Sequence, residues 1–348
     1  MHAAGLRRIK SLNIGKGIIF YTFLELLAYM DFTAISELAP FYLFSLVFPL
    51  LLILWQIVGK NESKVDWIVR FIFSASSIIW VYFLLPWAGI NYYLRYFFPI
   101  VFLIASIYSF QKVWMIQLKT KLPRNAKKLP LFKKLGIKDY FYYACLLIMA
   151  VLFLLTAITC FNAQFYPVEA VQLEFPLKGG QYFFAEAGSN AALNSHHESK
   201  SQKYAYDIIK IDSLGFMGKG FFSSNLSDYY IFDETVYAPC SGIVFETNNL
   251  SEDMPIMQRN EKEPGGNHVI LDCSGARVSL IHFKKGSLLV LEGELVTTGQ
   301  PLGKIGNSGR TTGPHLHIHA ENRLGEGIPI AFNGKTFVRN DIFNAEQK

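Results

Sequence analysis

The sequence predicts two parts of different fold class: an N-terminal α-helical transmembrane bundle, residues 1–161, and a C-terminal all-β domain, residues 162–348. The composition is the first reason, since 51% of the 348 residues are hydrophobic and only 17% are charged. This excludes a disordered chain and disfavours a purely soluble one. The second reason is charge, because 17 basic and 6 acidic residues precede position 162, while 16 basic and 21 acidic residues follow. The third is that seven of the eight histidines lie between 196 and 319.

Long uncharged runs in the first part predict membrane-spanning helices, which need about 20 mostly apolar residues. Three runs contain no charged residue over 22, 24 and 29 positions, namely 38–59, 71–94 and 140–168. Two shorter stretches are weaker candidates, since Glu25 interrupts one and Arg95 and Lys112 flank the other. A buried helical bundle of a soluble protein is disfavoured by runs of this length. We therefore expect five helices, at about 14–33, 39–59, 69–89, 93–114 and 139–161.

The positions of lysine and arginine predict the orientation of this bundle. Basic residues cluster at the N-terminus, after the second expected helix, and in the segment 112–138, which holds nine basic residues and no acidic one. The positive-inside rule places these segments in the cytoplasm, so the fifth helix carries the second part to the extracytoplasmic side of a cytoplasmic membrane. Between two spans, the basic segment is expected to contact anionic membrane lipid rather than nucleic acid. The sequence leaves the oligomeric state open.

Short alternating segments separated by glycine-rich turns predict the β domain. Turn signals stand at 264–267, 273–275 and 306–309, and such a pattern is typical of antiparallel sandwiches and barrels. The polar stretch 186–202 is expected to be a loop, and the polar tail from about 340 is expected to fray. The expected strands are Val171–Phe175, Thr235–Tyr237, Gly242–Glu246, His268–Asp272, Val278–Phe283, Leu288–Leu291 and Leu316–Ala320.

The run His-Leu-His-Ile-His at 315–319 is the sharpest chemical signal in the chain. Side chains alternate along a strand, so the three imidazoles share one face at spacings of about 6.5–7 Å, within reach of one metal ion. Solvated surface histidines are the ordinary alternative. Catalytic zinc usually takes three protein ligands and leaves a fourth position for water. Further candidates are therefore Asp207 in a strand-like run, the loop residues His196 and His197, and His282.

The segment 296–317, VTTGQPLGKIGNSGRTTGPHLH, resembles the signature of the lysostaphin-type zinc endopeptidases, bacterial enzymes that cut peptide cross-links in peptidoglycan. The segments 236–244, 266–271 and 280–282 resemble other motifs of that family, and the resemblance covers about 172–325. It implies a metallopeptidase fold built on an antiparallel sheet or split barrel. It also implies one zinc ion per chain and a peptidoglycan peptide as substrate.

The resemblance also implies roles for four residues. By position in the motifs, Asp207 and His317 would be zinc ligands, while His282 and His315 would be imidazoles that act on the water and the oxyanion. The chain departs from the family's first motif, a histidine four residues before the aspartate, because Lys203 stands at that place. A lysine cannot replace a neutral imidazole at neutral pH.

The third ligand is therefore expected further upstream. The run SQKYAYD at 201–207 resembles a subgroup whose histidine comes earlier, after an asparagine, and Asn194-Ser195-His196 fits that pattern. His196 is favoured over His197, and the 11-residue step to the aspartate requires a loop that folds back onto the strand. If neither histidine reaches the metal, the site has two ligands and is inactive.

Four residues of the second part stay outside this expected site. His268 is assigned to the surface of a strand, and His319 to the outline of the groove. Cys240 and Cys273 are expected beside core strands, where a disulfide and two buried thiols are equally compatible with an extracytoplasmic domain.

The sequence thus predicts a membrane-anchored zinc metalloendopeptidase that hydrolyses peptidoglycan cross-link peptides through a zinc-activated water. The main alternative is a catalytically inactive binding or regulatory module of the same fold, which activates or scaffolds another cell-wall enzyme. A transporter or sensor is the least favoured interpretation, because the spans contain few charges and no visible substrate motif.

Overall fold

The computed structural model describes residues 35–115, 131, 136–219 and 223–346. Four long helices form its first part. The first expected span, 14–33, lies outside the described residues, as does most of the basic segment 112–138. The helices are α1 (Ile35–Val58), α2 (Lys64–Leu84), α3 (Leu94–Phe110, continued by a π-helical turn, Gln111–Met115) and α4 (Ile137–Asn162).

Helix α2 begins at Lys64 rather than near 69, because a capping box fixes its start. The Ser63 hydroxyl accepts a hydrogen bond from the Asp66 amide at 3.3 Å, and the Asp66 carboxylate accepts one from the Ser63 amide at 2.8 Å. An expectation drawn from uncharged residues alone misses this charged first turn. The helix ends at Leu84 because Pro86 disfavours helical geometry in the residue before it, and a short 3₁₀ turn, Trp87–Gly89, follows.

Three of the described helices are long and apolar enough to cross a membrane: Lys64–Leu84, Leu94–Trp114 and Ile137–Asn162. The stretch Phe44–Val58 is apolar but shorter. Helix α4 leaves large apolar side chains more than half exposed at helical spacing, among them Ile148, Leu152 and Leu155. A row of this kind on a helix surface is typical of contact with lipid or with another protein.

The described residues of the second part form thirteen strands. They are β1 (Val171–Leu173), β2 (Gly180–Glu186), β3 (Tyr206–Ile211), β4 (Thr235–Tyr237), β5 (Gly242–Asn248), β6 (Asn267–Cys273), β7 (Ala276–Phe283), β8 (Leu295–Val296), β9 (Pro301–Lys304), β10 (Leu316–Glu321), β11 (Gly327–Ile328), β12 (Ile330–Phe332) and β13 (Ile342–Ala345). The main sheet has the order β13-β2-β3-β10-β7-β6-β5-β8, with β11 paired to β10. Its pairings are antiparallel, as expected, and place β10 between β3 and β7. Two further pairs, the parallel β1–β12 and the antiparallel β4–β9, lie outside this sheet.

Two expectations about this domain are wrong. The segment Leu288–Leu291 is not a strand. The Leu289 amide donates to the Leu302 carbonyl at 2.9 Å, but the segment forms no ladder, and turns at Gly286 and Gly293 flank it. As far as residue 346 the tail is ordered rather than frayed, because β13 pairs with β2 and the ring of Phe343 stacks on Phe175 with their centroids 4.0 Å apart. Partial burial of the Phe343 ring contributes up to roughly 2 kcal/mol, which helps to hold the strand beside its polar neighbours.

The disulfide left open by the sequence is present between Cys240 and Cys273, whose Cα atoms lie 6.0 Å apart. It joins the turn before β5 to the last residue of β6, which are adjacent strands of the sheet. The disulfide therefore cross-links β6 to the turn before β5, at a position where both cysteines also contact the hydrophobic core.

The β domain contacts the helical part directly. The Tyr92 amide donates to the Gly215 carbonyl at 2.9 Å, and the Trp87 amide donates to the Asn340 side chain at 3.1 Å. Phe183 of β2 packs in one apolar cluster with Ala88, Tyr92 and Ile211. The turn between α2 and α3 is thus part of the support for the sheet.

Candidate metal centre and its groove

Strands β3 and β10 bring an acid and an imidazole together. In their antiparallel register His317 lies opposite Asp207, and cross-strand neighbours of this kind have side chains within contact distance. The Nδ1 atom of His317 lies 2.8 Å from one carboxylate oxygen of Asp207. Both residues lie at the middle of the sheet, so their positions are fixed by strand pairing on both sides.

His196 reaches the same carboxylate from a loop. It belongs to a short 3₁₀ turn, Ser195–Glu198, and its amide donates to the Asn194 side chain at 3.1 Å. The Asn194 amide group donates to the carbonyls of Gly188 and Ala205, each at 3.1 Å, which folds the loop back onto the start of β3. As a result the Nε2 atom of His196 lies 3.0 Å from the second oxygen of Asp207.

The alternative candidate, His197, and the lysine at the family's usual histidine position, Lys203, both lie away from the carboxylate. The ring of His197 packs against Tyr204, with their centroids 6.0 Å apart. The Lys203 ammonium group lies 5.5 Å from the centroid of that same tyrosine ring. The loop therefore presents His196, rather than His197 or Lys203, to the carboxylate.

The ligand atoms of His196, Asp207 and His317 lie within 4.8 Å of one another. Tetrahedral zinc with bonds of about 2.0–2.1 Å needs ligand atoms roughly 3.4 Å apart. The two imidazole–carboxylate distances, 2.8 and 3.0 Å, approach that spacing. Two imidazole nitrogens and one carboxylate oxygen are also the donor types that zinc accepts, so this set fits the ion.

The electrostatics of the cluster suit a cation. Burial alone would raise the pKa of Asp207, but the neighbouring imidazoles of His196 and His315 hold it well below its ordinary value. Burial lowers the pKa of His317, so that this imidazole is neutral. Burial also lowers the pKa of His196, but the Asp207 carboxylate more than offsets this and raises it. A divalent cation would compete with that proton for the same nitrogen.

His282 and His315 stand beside the three residues, with ring centroids 4.7 Å apart. The Nδ1 atom of His282 lies 2.7 Å from the Ser308 carbonyl, and that of His315 lies 2.8 Å from the Gly313 carbonyl. A carbonyl only accepts, so each Nδ1 carries a proton, and in the neutral tautomer each Nε2 is the free base. The Nε2 atom of His315 lies 3.6 Å from Asp207, at the edge of the cluster.

The glycine-rich loop before β10 holds His282 in place. His282 has a left-handed backbone, with φ of 72°, an unusual conformation for a residue with a side chain. The Gly306 amide donates to the His282 carbonyl at 2.9 Å. A Cβ at Gly306 would lie 2.2 Å from the Asp253 carboxylate and 2.4 Å from the Lys284 backbone, so only glycine fits there.

His319 contacts the cluster directly, whereas the sequence placed it only at the outline of the groove. It is buried on β10, and its Nδ1 lies 3.0 Å from the Nε2 of His317. Burial lowers the pKa of His319 to about 3, so it is neutral and its Nδ1 can accept a hydrogen bond from the Nε2–H of His317. In that tautomer the Nδ1 lone pair of His317 would be available to a metal ion held beside Asp207. The alternation of side chains along the strand is the sequence signal for this position.

His268 lies on β6, where its ring contacts the Gly266 carbonyl at 3.0 Å and Glu246 at 3.3 Å.

The cluster forms part of the wall of a groove of about 1020 Å³. Apolar side chains line much of the groove, including Phe183, Ile209 and Met217, while two basic residues, Arg259 and Arg310, also line it. Pro86 and Gly89 reach the same groove from the turn between α2 and α3. The groove has room for several residues of an extended peptide.

Comparison with known proteins finds a family match within the β domain. Residues 228–330 match the model of peptidase family M23, so the C-terminal part of the chain carries an M23 peptidase domain of the lysostaphin type, which confirms the resemblance seen in the sequence. An 82-residue stretch is 40% identical to the peptidoglycan DD-endopeptidase ShyA of Vibrio cholerae and covers 22% of this chain and 19% of that protein. The chain thus matches about a fifth of the length of this curated relative.

Solved structures of two similar proteins cover part of the chain. The antimicrobial peptidase lysostaphin from Staphylococcus simulans is 21% identical with a TM-score of 0.23, and the match covers 34% of this chain and 37% of lysostaphin. A zinc-containing peptidase from Vibrio cholerae is 19% identical with a TM-score of 0.24, covering 47% of this chain and 37% of that one.

Proposed function

We propose that the chain is a membrane-anchored zinc metalloendopeptidase that hydrolyses peptide bonds in peptidoglycan cross-links. In this proposal His196, Asp207 and His317 hold the zinc ion, and His282 and His315 are the catalytic imidazoles. The observation that carries it is the convergence of three ligand atoms within 4.8 Å in the wall of a groove. The M23 domain and the sequence similarity to a peptidoglycan DD-endopeptidase support the choice of substrate.

The chemistry follows from the protonation states of the five residues. Zinc held there would supply Lewis-acid polarisation of the scissile carbonyl and acidification of the attacking water. The free Nε2 of His282 or His315 accepts the proton that the water loses. The imidazolium formed in this way then donates that proton to the nitrogen of the departing amine. The other imidazole would support the negative charge that develops on the carbonyl oxygen when its Nε2 also carries a proton.

The membrane part supports the location we propose. The described helices that are long enough to span, together with the basic residues at 112–138, favour insertion with the β domain on the extracytoplasmic side. We propose 1–161 as the membrane region and 162–348 as the catalytic domain. Peptidoglycan lies on that side of a bacterial cytoplasmic membrane, so substrate and groove would share a compartment.

The alternative of an inactive binding module is not favoured. It drew its support from the lysine in place of the first motif's histidine. In the folded chain His196 stands beside Asp207 in spite of that change, so the set of three candidate ligands is complete.

The test uses the full chain, purified in detergent, loaded with zinc and incubated with purified peptidoglycan. We expect one zinc ion per chain and the appearance of new amino groups in the released peptides. His317→Ala should lose the zinc and at least about a hundredfold of the activity, because a ligand and its acid partner are both disrupted. His268→Ala is the matched control, since its ring contacts Gly266 and Glu246 in the same sheet. Equal release by the two variants would reject the proposal.

A further inference from the structure

The carboxylate of Glu186 connects the metal loop to the rest of the fold. Glu186 is the last residue of β2, and one of its oxygens accepts from the Ser195 amide at 2.8 Å. Ser195 directly precedes His196, so this bond fixes the first turn of the loop that presents the imidazole. The other oxygen of Glu186 accepts from the Arg339 guanidinium at 2.6 Å.

Arg339 extends the connection to the membrane part. Its Nη1 donates to the Leu84 carbonyl at 2.9 Å, and its Nε donates to the Ala185 carbonyl at 3.0 Å. Leu84 is the last residue of α2, and the last carbonyls of a helix lack partners within it and carry partial negative charge. The guanidinium thus donates hydrogen bonds to a carbonyl at the end of α2, to a carbonyl near the end of β2 and to the Glu186 carboxylate. The Arg339 side chain is only 11% exposed and that of Glu186 is 23% exposed, so water competes weakly for these bonds.

We infer that Glu186 and Arg339 are positioning residues that hold the His196 loop in its metal-binding conformation and make that conformation depend on the docked end of α2. The inference rests on the proposed function, because it takes His196 as a metal ligand. A ligand that arrives from a loop needs this support more than Asp207 and His317 do, since strand pairing already fixes both.

The chain offers a matched control for the general effect of docking. Arg95, at the start of α3, donates to the Asn340 carbonyl at 2.8 Å, and its guanidinium stacks over the ring of Tyr82 at 4.2 Å. It therefore joins the helices to the same segment of the β domain as Arg339 does, through the neighbouring residue. Neither of these two contacts involves Glu186 or Ser195. Loss of Arg95 weakens the joint without releasing the loop.

The experiment measures zinc affinity by competition with a chelator, using the full chain in detergent. We expect Arg339→Met and Glu186→Gln each to weaken zinc binding by about 10-fold to 100-fold, the range found for residues that orient a metal ligand. The double variant should lose little more than either single one, because the two residues act as one unit. Arg339→Lys, which keeps the charge opposite Glu186 but not the fork, should fall between Arg339→Met and the native chain. Arg95→Met should stay within twofold of it.

Two further measurements separate positioning from general damage. Peptide release by Arg339→Met should return towards the native rate as zinc is raised to saturation, which a misfolded or catalytically impaired variant would not do. Co²⁺ in place of zinc should give a visible spectrum that differs between Glu186→Gln and Arg95→Met, since only the former alters the ligand geometry. If Arg339→Met does not fold, Glu186→Gln and Arg339→Lys decide by the same zinc titration.

The outcomes distinguish this inference from the proposed function. If the native chain binds no zinc, the proposed function fails. If the native chain binds zinc but Glu186→Gln and Arg339→Met bind it within twofold as tightly, the positioning role is rejected. The same conclusion follows if Arg95→Met loses as much affinity as Arg339→Met, since the effect would then come from docking alone.

Discussion

Replacing the disulfide between Cys240 and Cys273 should strongly destabilise the β domain. The bond closes a loop with a sequence separation of 33 residues. In the chain-entropy treatment, releasing a loop of this length gives the unfolded chain about 12 cal/mol/K of additional entropy, or about 4 kcal/mol at 25 °C. For a domain of about 190 residues this corresponds to a fall in melting temperature of roughly 8–15 °C. The double variant Cys240→Ser/Cys273→Ser should show that loss, and the native chain should show it after reduction.

Pulse proteolysis in urea is the suitable assay, because all five tryptophans lie between positions 55 and 114 and their fluorescence would follow the helical part. The chain is held in excess zinc throughout, so that metal binding contributes equally to both samples. Cys145→Ser is the control, since Cys145 is a free cysteine of α4 and its loss should leave the midpoint of β-domain cleavage unchanged. Coincident midpoints for the native chain and the double variant would refute the entropic reasoning.

Three other changes have distinct expected outcomes. His319→Ala removes the acceptor behind His317, so zinc affinity measured by chelator competition should fall about tenfold, and unchanged affinity would count against that contact. Gly309→Ala places a Cβ 2.7 Å from the Pro264 carbonyl in a backbone with φ of 90°, and urea denaturation should show a loss of about 1–3 kcal/mol, whereas Gly325→Ala meets no atom within 4 Å and should lose less. Hydrogen bonds from Lys284 and Lys304 lower the pKa of Asp233 below 3.8. Its folded pKa is therefore below the unfolded one, and the stabilisation is present above about pH 4 and is lost as the pH falls further. Asp233→Asn should thus be less stable than the native chain at pH 7 by at most about 1 kcal/mol for so exposed a group, and equally stable near pH 2; a difference that persists at pH 2 would contradict the assignment.

The alternating histidines show which part of the site can be predicted from the sequence and which part cannot. Period-two spacing on a strand is a local property, so the shared face of His315, His317 and His319 follows from the sequence without knowledge of the fold. The meeting of His317 with Asp207 depends on the register of β10 against β3, across 110 positions, and the sequence suggests it only through the family resemblance. Their role as ligands remains a prediction that zinc binding will test.

Other features depend on packing that has no local signal. The contact between Arg339 and Glu186 joins residues 153 positions apart and exists because α2 ends beside β2. The last strand, Ile342–Ala345, is held by the stacking of Phe343 on Phe175 and by the packing of Ile342 against the cluster that contains Phe183. The start of α2 is different, because its capping residues Ser63 and Asp66 can be recognised in the sequence. The capping box allows the helix to begin in a charged segment that the search for uncharged runs left out.

The connection between the two parts is short. Only the residues 163–170 separate α4 from β1, and eight residues span at most about 28 Å even when fully extended. The Ser189 amide also donates to the Ala163 carbonyl at 2.8 Å, which ties the domain to the first residue after the helix. If the bundle lies in the bilayer and the chain has the peptidase activity we propose, such a tether would confine hydrolysis to a thin zone just above the lipid headgroups. Strands of the wall would then be accessible as they emerge near that surface, whereas more distant layers would lie beyond its radius.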